Sequence, residues 1–98
     1  MEVRFGNRAL EELERDATQD GGFSQAIVTA FRKRIQALRA AKDERDLYAM
    51  KSFRFEKLKG ARAHQHSIRL NDQWRLILEF SGTAPNKAVI AMKIEDYH

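Results

Sequence analysis

The spacing of the apolar residues changes halfway along this chain of 98 residues. In the first half they recur at the three- or four-residue interval of one helix face, at Phe23, Ile27, Phe31, Ile35 and Leu38. From residue 53 onward apolar and polar residues alternate, as they do in half-buried strands. A chain with helices first and most strands later is typical of the α+β class. We therefore predict a small, mainly antiparallel sheet with an N-terminal strand and two helices packed on one face.

Turn and capping residues divide the sequence into short elements. A strand is predicted over 2–5, followed by a helix that Asn7 caps and that runs to about residue 17. The second helix begins after Ser24 and ends near Lys42, with up to two further helical turns over 43–48. Four strands are then predicted, at 53–56, 66–70, 74–80 and 87–94. Connections this short favour antiparallel neighbours within a single domain spanning residues 1–98.

Basic residues are concentrated in one segment of the chain. The net charge of +4 arises in the second half, where residues 51–75 hold seven basic and two acidic residues. This distribution indicates an anionic partner, although a solvated basic surface would have the same composition. The chain has no cysteine, which excludes thiol chemistry. It also has no apolar run long enough for a bilayer and no signal-peptide core, so we expect a cytoplasmic protein without a membrane partner.

The hairpin between the strands at 66–70 and 74–80 predicts the position of two arginines. If Leu70 lies opposite Trp74 on the core face, Arg69 lies opposite Arg75 on the other face. Two like charges placed directly opposite each other are unfavourable unless an anion binds between them. Guanidinium groups form paired hydrogen bonds with phosphate, so the two arginines predict a phosphodiester site.

Other interpretations of the hairpin stay open at this point. Both arginines could extend into water, or they could pair with Glu79 and Asp72. A loop shorter by one residue would place the two arginines on opposite faces. Trp74 shares its spacing with Leu76 and Leu78, which favours a core position over a role in stacking on bases.

Further polar residues lie where they could carry chemistry. The C-terminal Asp96, Tyr97 and His98 combine groups that donate, accept or orient protons, although a frayed end is the alternative. A second set of residues near Gly60 could bind phosphate groups or could simply be solvated: Lys57, Lys59, Arg62, His64 and His66. The spacing of the histidines is weak evidence for a metal site, and we expect none.

Three segments resemble the HigB-type toxins of the RelE-like superfamily: Leu58-Lys59-Gly60, the run from Ser67 to Arg75, and Glu95-Asp96-Tyr97-His98. The resemblance implies a RelE-like fold and a bacterial toxin that cleaves messenger RNA in the ribosomal A site, without a cofactor. Its implied partners are the ribosome with its message and a HigA-like helix-turn-helix antitoxin. Contact with operator DNA would occur only through that antitoxin.

The resemblance also assigns roles to single residues. Arg69 and Arg75 would hold the scissile phosphate, and Asp96, Tyr97 and His98 would line the active site. Some HigB toxins have a histidine where this chain has Glu56, so Glu56 or His98 would act as the base and His98 or Tyr97 as the acid. By the same motif Lys59 would contact RNA or the ribosome near the site, while Lys57, Arg62, His64 and His66 are predicted to make such contacts from their charge and their position near Gly60. The reaction would need no metal ion.

Two other functions are compatible with the same residues. A non-catalytic RNA- or ribosome-binding module would explain the charge and the arginine pair without any role for the C-terminus. A degenerate toxin, retained for antitoxin binding and operon autoregulation, would also keep these motifs. Expression of the chain alone distinguishes the degenerate toxin, because it would not slow growth.

Overall fold

The computed structural model describes residues 1–83 and 85–97. The strands and helices of this part are, in chain order, β1 (Glu2–Phe5), α1 (Arg8–Arg15), α2 (Gln25–Ala40), α3 (Glu44–Ala49), β2 (Glu56–Lys57), β3 (Gln65–Arg69), β4 (Trp74–Ser81) and β5 (Ala88–Asp96). Short 3₁₀ turns lie at Lys51–Phe53 and Gly60–Arg62. Among the described residues, no helix combines the length and the apolar character needed to span a bilayer.

The strands form one sheet in the order β1-β5-β4-β3-β2. β1 runs parallel to β5, and the other neighbouring strands are antiparallel. The predicted α+β class with a mainly antiparallel sheet is therefore confirmed. A bulge between Ile77 and Leu78 interrupts the pairing of β4 with β5, and bulges of this kind bend a sheet.

The hydrophobic core lies between the helices and one face of the sheet. The apolar face predicted for the second helix is buried in α2 at Ile27, Phe31, Ile35 and Leu38, together with Val28. The sheet contributes buried side chains from its three longest strands, at Ile68, Leu76, Leu78, Val89 and Ala91. Trp74 contacts Phe23 edge-on, with ring centroids 5.4 Å apart, which confirms its predicted place against the core. The helices do not cover the opposite face of the sheet, so a site built from polar side chains can form there.

Side-chain caps fix where the two longer helices begin. Asn7 Oδ1 accepts a hydrogen bond from the backbone of α1 at 2.9 Å, and Ser24 Oγ accepts one from α2 at 3.3 Å. Such caps satisfy N–H groups that have no partner within the helix. Both predicted helix starts are confirmed.

The structure moves several predicted boundaries, and two of them have a clear local cause. α1 ends at residue 15, because Asp16 has an extended backbone and its carboxylate accepts from Thr18 N at 2.9 Å. The strand predicted over 53–56 is reduced to Glu56–Lys57, since Phe53 ends a 3₁₀ turn and Arg54 adopts a left-handed conformation with φ 45°. A left-handed residue breaks the pleat, so pairing with β3 begins only after it.

Candidate active site

The hairpin between β3 and β4 has the register predicted from its sequence. Leu70 N donates to Trp74 O at 2.9 Å, and Arg69 lies directly opposite Arg75. Asn71 closes the loop, because its Oδ1 accepts from two backbone N–H groups at 2.9 and 2.8 Å. Leu70 and Trp74, which adjoin the two arginines in sequence, face the core. Because side chains alternate along a strand, both arginines lie on the sheet face opposite the helices. We call this the polar face.

Arg75 carries a buried positive charge on the polar face. The residue is only 8% exposed, and neither Nε nor Nη1 has a hydrogen-bond partner among the described residues. Its guanidinium carbon lies 4.2 Å from the centroid of the Tyr97 ring, a cation–π contact. Arginine stays protonated in proteins, and buried donors without partners are costly. The arrangement therefore suits an anion that accepts hydrogen bonds from this guanidinium.

Tyr97 joins Arg75 to a carboxylate on β2, the edge strand on the far side of β3. Its backbone N donates to Gln73 O at 2.7 Å, which holds the end of β5 against the hairpin loop. Its hydroxyl donates to Glu56 Oε1 at 3.2 Å. Glu56 lies opposite Ser67 in the register of β2 and β3, and therefore shares the polar face with Arg69 and Arg75. A cation, a phenol and a carboxylate thus meet in one place.

A cavity of about 310 Å³ opens beside these groups. It is lined by Glu56, Lys57, Leu58, Lys59 and Tyr97. Lys57 and Lys59 are exposed, and positively charged side chains favour the binding of a polyanion.

Arg69 has a different environment from Arg75. Its guanidinium pairs with Asp72 of the hairpin loop, one of the two carboxylates considered as alternatives in the sequence. Its backbone oxygen accepts a hydrogen bond from Arg34 Nε at 3.1 Å. The Arg34 guanidinium also lies over the Phe53 ring, 4.5 Å from its centroid. Burial, with a smaller contribution from the charge of Arg69, lowers the pKa of Arg34. Arg34 was not predicted as a site residue, because helix spacing does not show which strand a long side chain reaches.

Arg62, predicted to bind RNA, is engaged with a carboxylate on the polar face. Its Nη1 and Nη2 donate to the two carboxylate oxygens of Glu95 at 2.9 and 3.0 Å. These bonds hold the pKa of the Glu95 carboxyl below its usual range. Glu95 lies directly opposite Arg75 in the register of β4 and β5. Sequence analysis missed Glu95 as a site residue, although it shares its strand face with Tyr97.

The structure does not bring His66 to the polar face. It alternates with Ser67, so its ring lies on the helix side, stacked on Phe55 with centroids 4.9 Å apart. Burial lowers the pKa of His66. The register places Lys57 opposite His66, so alternation turns the Lys57 side chain to the helix side of the sheet and away from Arg75. His64 is exposed, with Nε2 3.7 Å from Glu79 Oε2.

Asp96, one of the predicted C-terminal site residues, does not join Arg75 and Tyr97 in the described structure. Asp96 lies opposite Trp74 and accepts from Gln73 Nε2 at 3.0 Å, so alternation separates it from Glu95 and Tyr97. His98 lies outside the described residues. Within 1–83 and 85–97, no three His, Asp or Glu side chains are grouped so that they could hold a metal ion.

The fold and this site define a class of protein. The family model described as a RelE-like toxin of type II toxin–antitoxin systems, HigB, matches residues 3–98. The chain belongs to this family of HigB-type toxins, as the sequence motifs indicated, and a toxin of such a system has an antitoxin partner.

Two relatives agree with this assignment. Toxin HigB-1 of Vibrio cholerae serotype O1 is 33% identical over 87 residues, which cover 88% of this chain and 92% of that protein. The solved structure of a YoeB/ParE toxin from Agrobacterium tumefaciens superposes over the whole of both chains, with a TM-score of 0.61 and 16% identity. At that identity the structural likeness concerns the fold alone.

Proposed function

We propose that this toxin is a ribosome-dependent endoribonuclease that cleaves messenger RNA in the A site and so inhibits translation in the cytoplasm. The observation that carries the proposal is Arg75, a buried guanidinium with two donor atoms that lack partners in the described part of the chain. It lies beside Tyr97, which is hydrogen-bonded to Glu56. A phosphodiester is an anion that Arg75 and Arg69 could hold together.

The proposed chemistry is attack of a 2′-hydroxyl on the adjacent phosphorus. Glu56 takes the proton of the 2′-hydroxyl, and the 2′-oxygen forms a bond to phosphorus as the bond to the 5′-oxygen breaks. Tyr97 supplies a proton to the departing 5′-oxygen. The products are a 2′,3′-cyclic phosphate and a 5′-hydroxyl. His98, to which the sequence motif gives the same proton transfers, lies outside the described residues.

The positive charge required by this reaction comes from the two arginines. Charge builds up on the phosphoryl oxygens as the fifth bond to phosphorus forms, and preorganised cations act best at that point. Arg75 is preorganised by burial and by the Tyr97 ring. Since Arg75 and Arg69 supply this charge, we propose that the reaction uses no metal ion.

The ribosome is proposed to position the message. The cavity beside Tyr97 has a volume of about 310 Å³, and its described lining offers one aromatic side chain on which a base could stack. Binding energy for orientation must then come from the surroundings of the message. Lys57 and Lys59 are the candidates for contacts with RNA or the ribosome. We further propose a HigA-like helix-turn-helix antitoxin as the partner, and operator contact only through it.

The test combines one substitution with the chemistry of the product ends. Ribosomes stalled on a defined message are incubated with wild-type toxin or Arg75→Ala, and the cleaved ends are mapped by primer extension and end labelling. We expect 5′-hydroxyl ends with the wild type and a loss of roughly 10²–10³-fold in rate with Arg75→Ala. Arg8→Ala, which removes an exposed guanidinium on α1, is the control and should cleave normally.

Other results would contradict the proposal in distinct ways. Cleavage of a message with a 2′-deoxy nucleotide at the scissile position would refute attack by the 2′-hydroxyl. Growth arrest by a folded Arg75→Ala protein would refute its role in binding phosphate. Translation arrest without cut message would favour the non-catalytic ribosome-binding module, and normal growth on wild-type expression would favour the degenerate toxin.

A further inference from the structure

Glu95 occupies a position from which it should neutralise Arg75. The two residues are direct partners across β4 and β5 on the polar face. Side chains opposite each other on neighbouring strands have Cβ atoms about 4.5–5.5 Å apart, well within reach of a carboxylate and a guanidinium. Yet Nε and Nη1 of Arg75 find no partner among the described residues.

Both oxygens of the Glu95 carboxylate are engaged elsewhere. Arg62 donates to one oxygen at 2.9 Å and to the other at 3.0 Å, and Lys93 Nζ lies 3.0 Å from Oε1. A two-point arginine contact fixes the plane of a carboxylate as well as its position. The side chain of Glu95 is 24% exposed, so the contact is only partly screened by water.

The local backbone and a second set of contacts aim Arg62 at this carboxylate. Arg62 ends the 3₁₀ turn that begins at Gly60, whose φ of 65° is available to glycine without strain. Arg62 Nε donates to Gln65 Oε1 at 3.1 Å, and Gln65 Nε2 donates to Glu79 Oε2 at 3.0 Å. All three donor nitrogens of the Arg62 guanidinium are therefore used within the protein.

We propose that Arg62 is a positioning residue that holds Glu95 away from Arg75 and so keeps Arg75 free to bind a phosphate. The inference rests on the proposed function, since it presumes that Arg75 binds the scissile group. It gives Arg62 a different role from the RNA contact expected from its sequence, because a guanidinium committed to Glu95 and Gln65 is not offered to RNA. Without Arg62, Glu95 turns to its cross-strand partner and competes with the phosphate.

Rescue by a second substitution separates this role from direct RNA binding. Arg62→Met keeps the length of the side chain and removes its charge, and Glu95→Gln removes the competing charge. We expect Arg62→Met to slow single-turnover cleavage of ribosome-bound message about tenfold, the effect of 1.4 kcal/mol. The double variant should return to within about twofold of Glu95→Gln alone, as expected for coupled residues. Lys93→Met is the control, because Arg62 still holds both carboxylate oxygens, and it should cleave normally.

A second readout measures the anion site without the chemistry. The melting temperature is recorded in inorganic phosphate and in chloride at equal ionic strength, since an anion bound to the folded state raises it. Phosphate should stabilise the wild type, Glu95→Gln and the double variant, but not Arg62→Met. Arg62→Lys, which keeps the charge and one contact, should be intermediate in both assays and covers the case in which Arg62→Met folds poorly.

The outcomes distinguish this proposal from the proposed function. If the double variant is as impaired as Arg62→Met, Arg62 itself contacts RNA and the proposal is wrong. If Arg62→Met is normal while Arg75→Ala is inactive, the positioning role is wrong but the phosphate site stands. If Arg75→Ala is fully active, the proposed function fails, and the positioning role fails with it.

Discussion

Replacing Arg75 with methionine should make the protein more stable while abolishing its activity. Methionine has a similar length and no charge, so it can fill the same space above the Tyr97 ring. The substitution removes two buried donor atoms, Nε and Nη1, that have no hydrogen-bond partner in the described structure. It also removes the like charge opposite Arg69.

The size of the effect follows from these contacts. Each buried, unsatisfied donor costs about 1–3 kcal/mol, which gives roughly 2–6 kcal/mol for the pair. Loss of the cation–π contact with Tyr97 offsets about 0.5–2 kcal/mol of this gain. We expect a net increase of about 2 kcal/mol in the free energy of unfolding. For a domain of this size that corresponds to a rise of roughly 10 °C in melting temperature.

Urea unfolding and thermal melting followed by circular dichroism measure this difference. The buffer must contain neither phosphate nor sulfate, because an anion bound to wild-type Arg75 would mask the gain. Arg69→Met is the matched control, since Arg69 already pairs with the exposed Asp72, and its stability should change by less than about 0.5 kcal/mol. An Arg75→Met protein that melts at or below the wild-type temperature would refute the reasoning about unsatisfied donors.

Two further predictions concern single side chains of the site and the core. Glu56→Gln keeps an acceptor for the Tyr97 hydroxyl but cannot take up a proton, so single-turnover cleavage should fall by roughly 10²–10⁴-fold with unchanged stability; a near-normal rate would show that Glu56 is not the base. The His66→Phe variant should lose less free energy of unfolding than the wild type as the pH falls below neutral. Urea unfolding at several pH values measures this difference. Burial lowers the pKa of His66 in the folded state. The contribution of the neutral imidazole to the free energy of unfolding is therefore present above the unfolded pKa of about 6.5, and it is lost as the pH falls through the folded pKa. An unchanged pH profile in the variant would contradict this assignment.

The parts of the fold that could be predicted from sequence are those set by local patterns. The buried apolar face of α2 could be predicted from helical spacing. The pairing of Arg69 with Arg75 could be predicted from the alternation of side chains around a short loop. The same alternation rule, applied further along β3, would have placed His66 beside Ile68 on the helix side, as the structure does. The strand predicted over 53–56 failed because nothing in its alternation reveals the left-handed Arg54.

The contacts that complete the site could not be predicted, because they join segments far apart in the chain. Tyr97 reaches Glu56 across the sheet, and Arg62 reaches Glu95 from a 3₁₀ turn. Such pairs depend on strand order and on the direction of a turn. Neither is encoded in the spacing of apolar residues, so motif matching can identify the residues of a site without showing which of them bond to one another.

The parallel pairing of the first strand with the last has a consequence for incomplete chains. Translation products that stop before Ala88 leave β1 without its partner strand and leave one edge of β4 open. Open strand edges invite aggregation and degradation. Such fragments also lack Tyr97, so they cannot form its contacts with Arg75 and Glu56. In the growing chain, the cluster of Arg75, Tyr97 and Glu56 forms only after β5 and the residue that follows it have emerged from the ribosome.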